Sequence, residues 1–310
     1  MTARAAIFLA CAGVVGATVT SCGGQSPTAP STAQSPALPP ESPVTPPAPV
    51  PPGLPAVFVG AGDIAICDGN SEHTARLLDR IGGTVFTLGD NAYFQGTARE
   101  YQECYEPTWG RHKSYTRPVP GNHDYETPGA SAYFNYFGPN AGAPGSGYYS
   151  FEVGSWHAIA LNSNIAVGSR SPQAEWLRRD LQAHPARCTV AYFHHPLFTS
   201  GPNGPTPSMR DIWGILHEAG VELVLNGHEH LYERFAPQDP NGVPDPARGI
   251  RQFIAGTGGA FLYSTGPAQP NSEARLSAFG VLKLTLGGGR YDWEFVSVSG
   301  PSDAGTGTCH

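Results

Sequence analysis

Thr84-Val85-Phe86-Thr87-Leu88-Gly89-Asp90-Asn91-Ala92-Tyr93 carries a β-branched and apolar run straight into a Gly-Asp turn that ends on a phenol. A strand closing on such a turn presents its carboxylate at one edge of a sheet. Upstream, Ala56-Val57-Phe58-Val59 is a second compact apolar run, ending at Gly60-Ala61-Gly62-Asp63. Between the two, Glu72 to Ile81 spaces Ala75, Leu78 and Ile81 for one face of a helix. Strand, helix and strand in that order predict a βαβ unit with an acidic loop after each strand.

The pattern continues downstream. Pro118-Val119-Pro120 delivers Gly121-Asn122-His123-Asp124 on a tight turn. Tyr148 to Val153 and Trp156 to Leu161 read as a strand pair joined at Gly154. Ser171 and Pro172 mark a helix start, with Ala174, Leu177 and Leu181 as its buried stripe. Thr189 to Phe193 is a strand that ends at His194-His195-Pro196. A helix over Arg210 to Ala219 leads into Val221 to Leu225 and then Gly227-His228-Glu229-His230. Beyond a Pro-rich loop at residues 237–246, the runs Gln252 to Ala255, Ala278 to Leu286 and Tyr291 to Val298 are strand-like. Two packed mixed sheets flanked by helices accommodate this order.

Taken singly, each loop is weak evidence: a Gly-Asp at a strand end is most often a turn or a helix cap. Taken together they offer two aspartates, a tyrosine, an asparagine and several histidines. Oxygen and imidazole donors in that number suit two metal ions sharing a bridge better than one closed zinc site. Two metals a few ångströms apart are a device for cleaving phosphoesters. Asp90 can bridge, having two oxygens and a negative charge. On an extended segment, His228 and His230 share one side, whereas period-two alternation sends His195 away from His194. Gly256-Thr257-Gly258-Gly259 lacks the Lys-Ser/Thr of a phosphate-cradling loop and reads as a tight turn near the pocket.

The rest of the chain bounds the setting. Residues 1–21 read as an export signal: Arg4, then the apolar Ala5 to Thr20, then the lipobox-like Val19-Thr20-Ser21-Cys22. Lipidation of Cys22 would tether the protein to a membrane from outside the cytoplasm; simple cleavage would leave it secreted, periplasmic or at the cell surface. Residues 22–55 read as an extended linker, since Gly23 to Pro55 holds 12 prolines and one charge, Glu41. A domain over 56–300 and a tail over 301–310 follow. Four cysteines remain beyond the signal, and an exported even set favours two disulfides. Three pairings exist; Cys67 and Cys104 lie beside successive ligand loops, which favours Cys67–Cys104 with Cys188–Cys309. A net charge of −7 without a Lys/Arg run argues against nucleic acid as a partner. Oligomeric state leaves no mark on the sequence.

The ordered series GD, GDNAY, GNHD, HHP and GHEH resembles the calcineurin-like metallophosphoesterases, and within them the purple acid phosphatases, from Ala56 to Val298. The resemblance implies an α/β (α+β) fold, a four-layer αββα sandwich of two mixed sheets with ligand loops at the C-terminal ends of strands. Ala65 stands where the wider family has a histidine, and Tyr93 stands three residues after Asp90, as in purple acid phosphatases. A phenolate suits Fe(III) better than Zn(II). The resemblance therefore implies a ferric site of Asp63, Asp90, Tyr93 and His230. A second site of Asp90, Asn122, His194 and His228 would take divalent iron, zinc or manganese.

The implied reaction is hydrolysis of a small phosphate monoester by a metal-bound hydroxide, with His123 protonating the leaving group and Asp124 orienting His123. His195 would face substrate or support the Pro196 turn. Residues 200–210 lack a further histidine that many family members carry, which leaves protonation to His123, or to His195 in its place. Tyr232, Glu233 and Arg234 follow GHEH as in plant members and are expected to hold the loop. A phosphodiesterase on the same metals, or a metal-bearing surface lipoprotein without turnover, are the alternative readings.

Overall fold

Alternating side chains explain why strands that read as unbroken apolar runs can each serve two cores. In the computed structural model, which describes residues 54–310, β1 (Ala56–Ala61) sends Phe58 into one buried cluster and Val59 into another. Helix α1 (Ser71–Ile81) covers the Val59 side through Ala75, Leu77 and Leu78, and β2 (Thr84–Thr87) pairs parallel to β1. The single-turn α2 (Ala98–Glu100) and β3 (Thr116–Arg117) follow, with β3 parallel to β2. Next come α3 (Ser131–Phe137), the antiparallel pair β4 (Tyr149–Val153) and β5 (Trp156–Ala160), and α4 (Pro172–Ala183). Strand β6 (Thr189–Tyr192), α5 (Arg210–Glu218) and β7 (Leu223–Asn226) extend the parallel section, β5, β6 and β7 lying side by side, and a later strand, residues 251–255, pairs parallel to β7.

The remaining strands are β8 (Tyr232–Phe235), β9 (Arg251–Ala255), β10 (Ser272–Leu276), β11 (Gly280–Gly287), β12 (Arg290–Ser297) and β13 (Asp303–Thr308). They finish two mixed sheets, ordered β13-β12-β11-β1-β2-β3 and β10-β8-β9-β7-β6-β5-β4. One core lies between the sheets, where Phe58, Phe86 and Leu284 of the first meet Tyr192, Leu225 and Phe253 of the second. A second core joins α1 and α3 to the first sheet, and a third joins α4 and α5 to the second. Helix, sheet, sheet and helix are the four layers expected. Each fully buried Phe or Leu contributes about 1.5–3 kcal/mol, so all three cores carry stability.

Most expected elements are present within a residue or two. Ser171 caps α4 by accepting from the Ala174 backbone N–H, with Pro172 at its first position. Both expected disulfides are formed, Cys67–Cys104 and Cys188–Cys309. The segment expected as a tail, 301–310, instead contains β13. Its Asp-Ala-Gly-Thr-Gly-Thr sequence has poor strand propensity, yet Gly305 and Gly307 leave the room that the rings of Trp293 and Tyr291 on β12 occupy. Tyr232 and Arg234 bond Asp303 at the start of β13, and Glu233 accepts from the Ser200 N–H, so this trio does hold neighbouring segments. The signal and linker expected over residues 1–55 lie outside the described residues except for Leu54 and Pro55. Among the described residues no helix is long and apolar enough to cross a membrane.

Candidate metal centre

Five loops converge where the parallel strands of both sheets end, after β1, β2, β3, β6 and β7, the place where open α/β sheets gather ligand-binding groups. The first two loops run side by side. The N–H groups of Asp63, Ile64 and Ala65 donate to the carbonyls of Gly89, Asp90 and Asn91, and the Tyr93 N–H returns to the Ala65 carbonyl. That ladder fixes Asp63 and Tyr93 together: the Tyr93 phenol oxygen lies 2.8 Å from Asp63 Oδ1, 3.0 Å from Asp90 Oδ2 and 3.1 Å from His230 Nε2. Asp90 Oδ2 also lies 3.3 Å from His194 Nε2, which in turn is 3.0 Å from Asn122 Oδ1 and 3.2 Å from His228 Nδ1. All seven expected ligands thus fall into two groups of donor atoms that share one Asp90 oxygen.

The ring nitrogens that face away are occupied by backbone carbonyls. His194 Nδ1 is 2.7 Å from the Leu88 carbonyl and His230 Nδ1 is 2.8 Å from the Phe261 carbonyl. A carbonyl can only accept, so each Nδ1 carries a proton and Nε2 is the nitrogen turned inward, toward the other donor atoms. Three of the non-glycine ligands, Asp63, Asp90 and His228, have left-handed backbones with φ of 59°, 51° and 70°. Such conformations cost about 1–3 kcal/mol each and persist where surroundings enforce them, most often at functional sites. Gly121 permits the closest approach: a Cβ there would stand 2.0 Å from Asp90 Oδ1.

Charge balance shows what the cluster suits. Asp63 and Asp90 are buried, and among the described residues their only ion-pair partners are imidazoles: His230 for Asp63, His194 and His123 for Asp90. Buried carboxylates without a fixed cation are costly. Burial alone would raise the Asp90 pKa, but the His194 and His123 charges and hydrogen bonds hold it well below the usual carboxylate range. His194, opposed by burial, is pushed up to about 9 chiefly by Asp90. Burial and then the two carboxylates push the Tyr93 phenol well above its ordinary value. Cations at these positions would reverse both effects, displacing the Tyr93 and His194 protons. Two carboxylates, a phenol, an amide oxygen and three imidazoles fit one hard cation on the Tyr93 side and one borderline cation on the His194 side.

Three expectations change. Asp124 does not orient the His123 ring: its carboxylate is buried and accepts from Tyr101 Oη at 2.6 Å, Gly121 N at 2.8 Å and Asn91 Nδ2 at 3.0 Å, tying the turn together. The His123 ring is instead fixed by the Phe94 carbonyl, 2.6 Å from Nδ1, with Nε2 3.9 Å from Asp90 Oδ2. His195 does not point away, because residues 194–195 form a bend rather than a strand; its ring sits 4.5 Å from that of His228, with Nδ1 2.8 Å from Ser163 Oγ. Burial and the neighbouring His194 and His228 lower its pKa to about 2. His228 and His230 converge by a different route too. Tight turns, Glu229 N to the Gly227 carbonyl and Leu231 N to the Glu229 carbonyl, replace the extended segment.

Several contributors escape a motif reading. Ser163 and Asn164 follow β5, itself parallel to β6, and Asn164 Nδ2 donates to the Pro120 carbonyl behind the Asn122 turn; the strand-end rule that found the other loops applies to them equally. Glu229 is buried, raised to about 7 first by burial, and accepts from Gly204 N. Asn203, in the segment without a histidine, donates to the His228 carbonyl at 2.9 Å. Gly256 and Gly258 belong to the expected turn and lie against Asp63 and Gly62.

Comparison with known proteins agrees with this geometry. Residues 56–232 match the calcineurin-like phosphoesterase family. Purple acid phosphatase 21 of Arabidopsis thaliana is 30% identical over 264 residues, which cover 76% of this chain and 58% of that protein. This chain therefore spans a little over half the length of that relative. Among solved structures, purple acid phosphatase PPD1 from yellow lupin (Lupinus luteus) seeds superposes with a TM-score of 0.73 at 18% identity, covering 82% of this chain and 54% of that one. GAP50, the anchor in the inner membrane complex of Plasmodium, superposes with a TM-score of 0.64 at 15% identity, covering 83% and 89%. At such identities the superpositions establish a shared fold.

Proposed function

The chain belongs to the calcineurin-like phosphoesterase family and resembles its purple acid phosphatase branch, and from there we propose that it is an exported dinuclear-metal phosphatase acting on phosphate monoesters. Asp63, Asp90, Tyr93 and His230 would hold Fe(III), and Asp90, Asn122, His194 and His228 would hold divalent iron, zinc or manganese. When bound, two such cations supply Lewis acidity to the phosphate oxygens and to the attacking water. The observation that carries the reading is the Tyr93 oxygen within 3.1 Å of Asp63, Asp90 and His230 donor atoms, beside a second donor group reached through Asp90 Oδ2. The fold alone does not argue for catalysis; the donor set does.

The chain's own groups supply the remaining steps. His123 keeps a proton on Nδ1 against the Phe94 carbonyl, so the proton that moves is the one on Nε2, beside Asp90. At the edge of the centre that nitrogen can protonate a departing alcohol. His195, held neutral and oriented by Ser163, is placed to contact phosphate beside His228. Two disulfides suit an oxidising compartment outside the cytoplasm. The signal and the Cys22 tether remain expectations of the sequence.

A visible spectrum of the purified protein after aerobic iron loading, paired with turnover of nitrophenyl phosphate, tests this. A broad charge-transfer band that vanishes in Tyr93→Phe, together with monoester hydrolysis, is expected. Colourless protein that hydrolyses esters would reduce Tyr93 to packing and move the centre to zinc or manganese. Faster turnover of bis-nitrophenyl phosphate would make it a diesterase. Stoichiometric metal without hydrolysis at any pH would leave a non-catalytic lipoprotein.

A further inference from the structure

We propose that the centre selects phosphate monoesters whose leaving alcohol carries a flat aromatic ring, seated against Phe94 and Phe261. This rests on the phosphoesterase reading above. Among the described residues only two aromatic side chains are exposed, Phe94 at 56% and Phe261 at 41%, and both flank the metal centre. Their ring centroids lie 5.9 and 6.3 Å from that of Tyr93, and Phe261 lies 4.2 Å from the ring of His230. Every other Phe, Tyr and Trp ring among the described residues is at least partly buried, so exposure confined to this rim points to a partner that arrives from solvent.

The Phe94 backbone is also braced in that position. The Glu100 carboxylate accepts from the N–H groups of Phe94, Gln95 and Thr97, while Thr97 caps α2 in return. The Phe94 carbonyl fixes His123. The imidazole that would protonate the leaving oxygen and the ring that would meet the body of the leaving group therefore belong to one braced unit. From Phe94 and Tyr93, but without Phe261 or His123 on its walls, a cleft of about 580 Å³ runs on to the Cys67–Cys104 disulfide, within the size range of small-molecule sites. The one cation on its walls, Arg99, is paired with Glu103, and Glu100 adds a negative charge. Such a cleft favours a neutral flat ring over a second phosphate group, and ring faces stack without demanding a particular hydrogen-bond pattern.

Calorimetric titration of the metal-loaded protein with phenylphosphonate and methylphosphonate tests this without requiring turnover. Phenylphosphonate is expected to bind about tenfold more tightly. Phe94→Ala and Phe261→Ala should each shrink that ratio toward one, and Phe94→Tyr should restore it. In the same variants kcat/KM for phenyl phosphate and adenosine monophosphate should fall relative to glycerol phosphate, mainly through KM. A loss confined to phenyl phosphate would identify a simple aryl alcohol, and a loss with both any flat ring. Equal affinity for the two phosphonates in the wild type, or a ratio untouched by Phe94→Ala at full metal content, overturns the proposal. Failure to hydrolyse any ester while the phosphonate ratio holds would instead overturn the phosphoesterase reading.

Discussion

Asp90 is the residue on which the centre turns: Oδ2 touches both donor groups, while Oδ1 accepts from the His123 backbone N–H at 2.8 Å. That last bond separates the two roles of residue 123. The backbone braces the Asp90 carboxylate, and the half-buried ring is the group proposed for proton transfer. His123→Ala keeps the first role and removes the second. It should lower kcat by roughly 10²–10⁴-fold, the usual span for a general acid, with metal content unchanged by elemental analysis. Parallel loss of metal and rate would make the ring structural. Tyr93 differs, since its oxygen is itself part of the donor set, and its replacement should change colour as well as rate.

At the level of elements, α4 is fastened to the β4–β5 hairpin by a buried ion pair far from the chemistry. His157 Nε2 donates to Asp180 Oδ2 at 2.8 Å and Nδ1 to Glu152 Oε1 at 2.9 Å, a geometry that needs both ring protons. Burial opposes the charge, but the Asp180 and Glu152 bonds prevail and raise the His157 pKa above its ordinary 6.5. A raised folded pKa gives stability fully present below pH 6.5 and lost as pH climbs through the folded value. Asp180, raised by burial but lowered more by His157 and Ser150, behaves oppositely; its share is present above 3.8 and lost in acid. The melting-temperature gap between wild type and His157→Gln should accordingly be wider near pH 5.5 than near pH 9. An equal gap at both would mean that the pair is held neutral and contributes only packing.

Across the whole molecule, the sheets are joined covalently as well as by their shared core. Cys188–Cys309 links the start of β6 in one sheet to the end of β13 in the other, closing 121 residues. Loop-closure entropy alone assigns such a crosslink about 5 kcal/mol, and measured losses run about 2–5 kcal/mol. Cys309→Ser should therefore lower the denaturant midpoint clearly while leaving the iron-loaded spectrum intact, because the ligand loops lie at the other strand ends. An unchanged midpoint would show that β13 is held by its pairing with β12 alone.

The strands β1, β2 and β4 to β7, the helices α1, α4 and α5 and the residue types that gather at the candidate site were legible in the chain, because each rests on local pattern. Apolar runs mark strands, caps mark helices, and donor residues sit at fixed offsets from glycine turns. What escaped depends on contacts between distant segments. Strand β13 exists because two glycines accommodate Tyr291 and Trp293, which no local propensity reveals. Asp124 bonds Tyr101 and Asn91 rather than its neighbour His123, and His195 turns toward His228 because the chain bends after β6. Residue types and spacing can name the donors of a site; the directions in which those donors point are set by backbone turns and hydrogen bonds that form only when the two sheets meet.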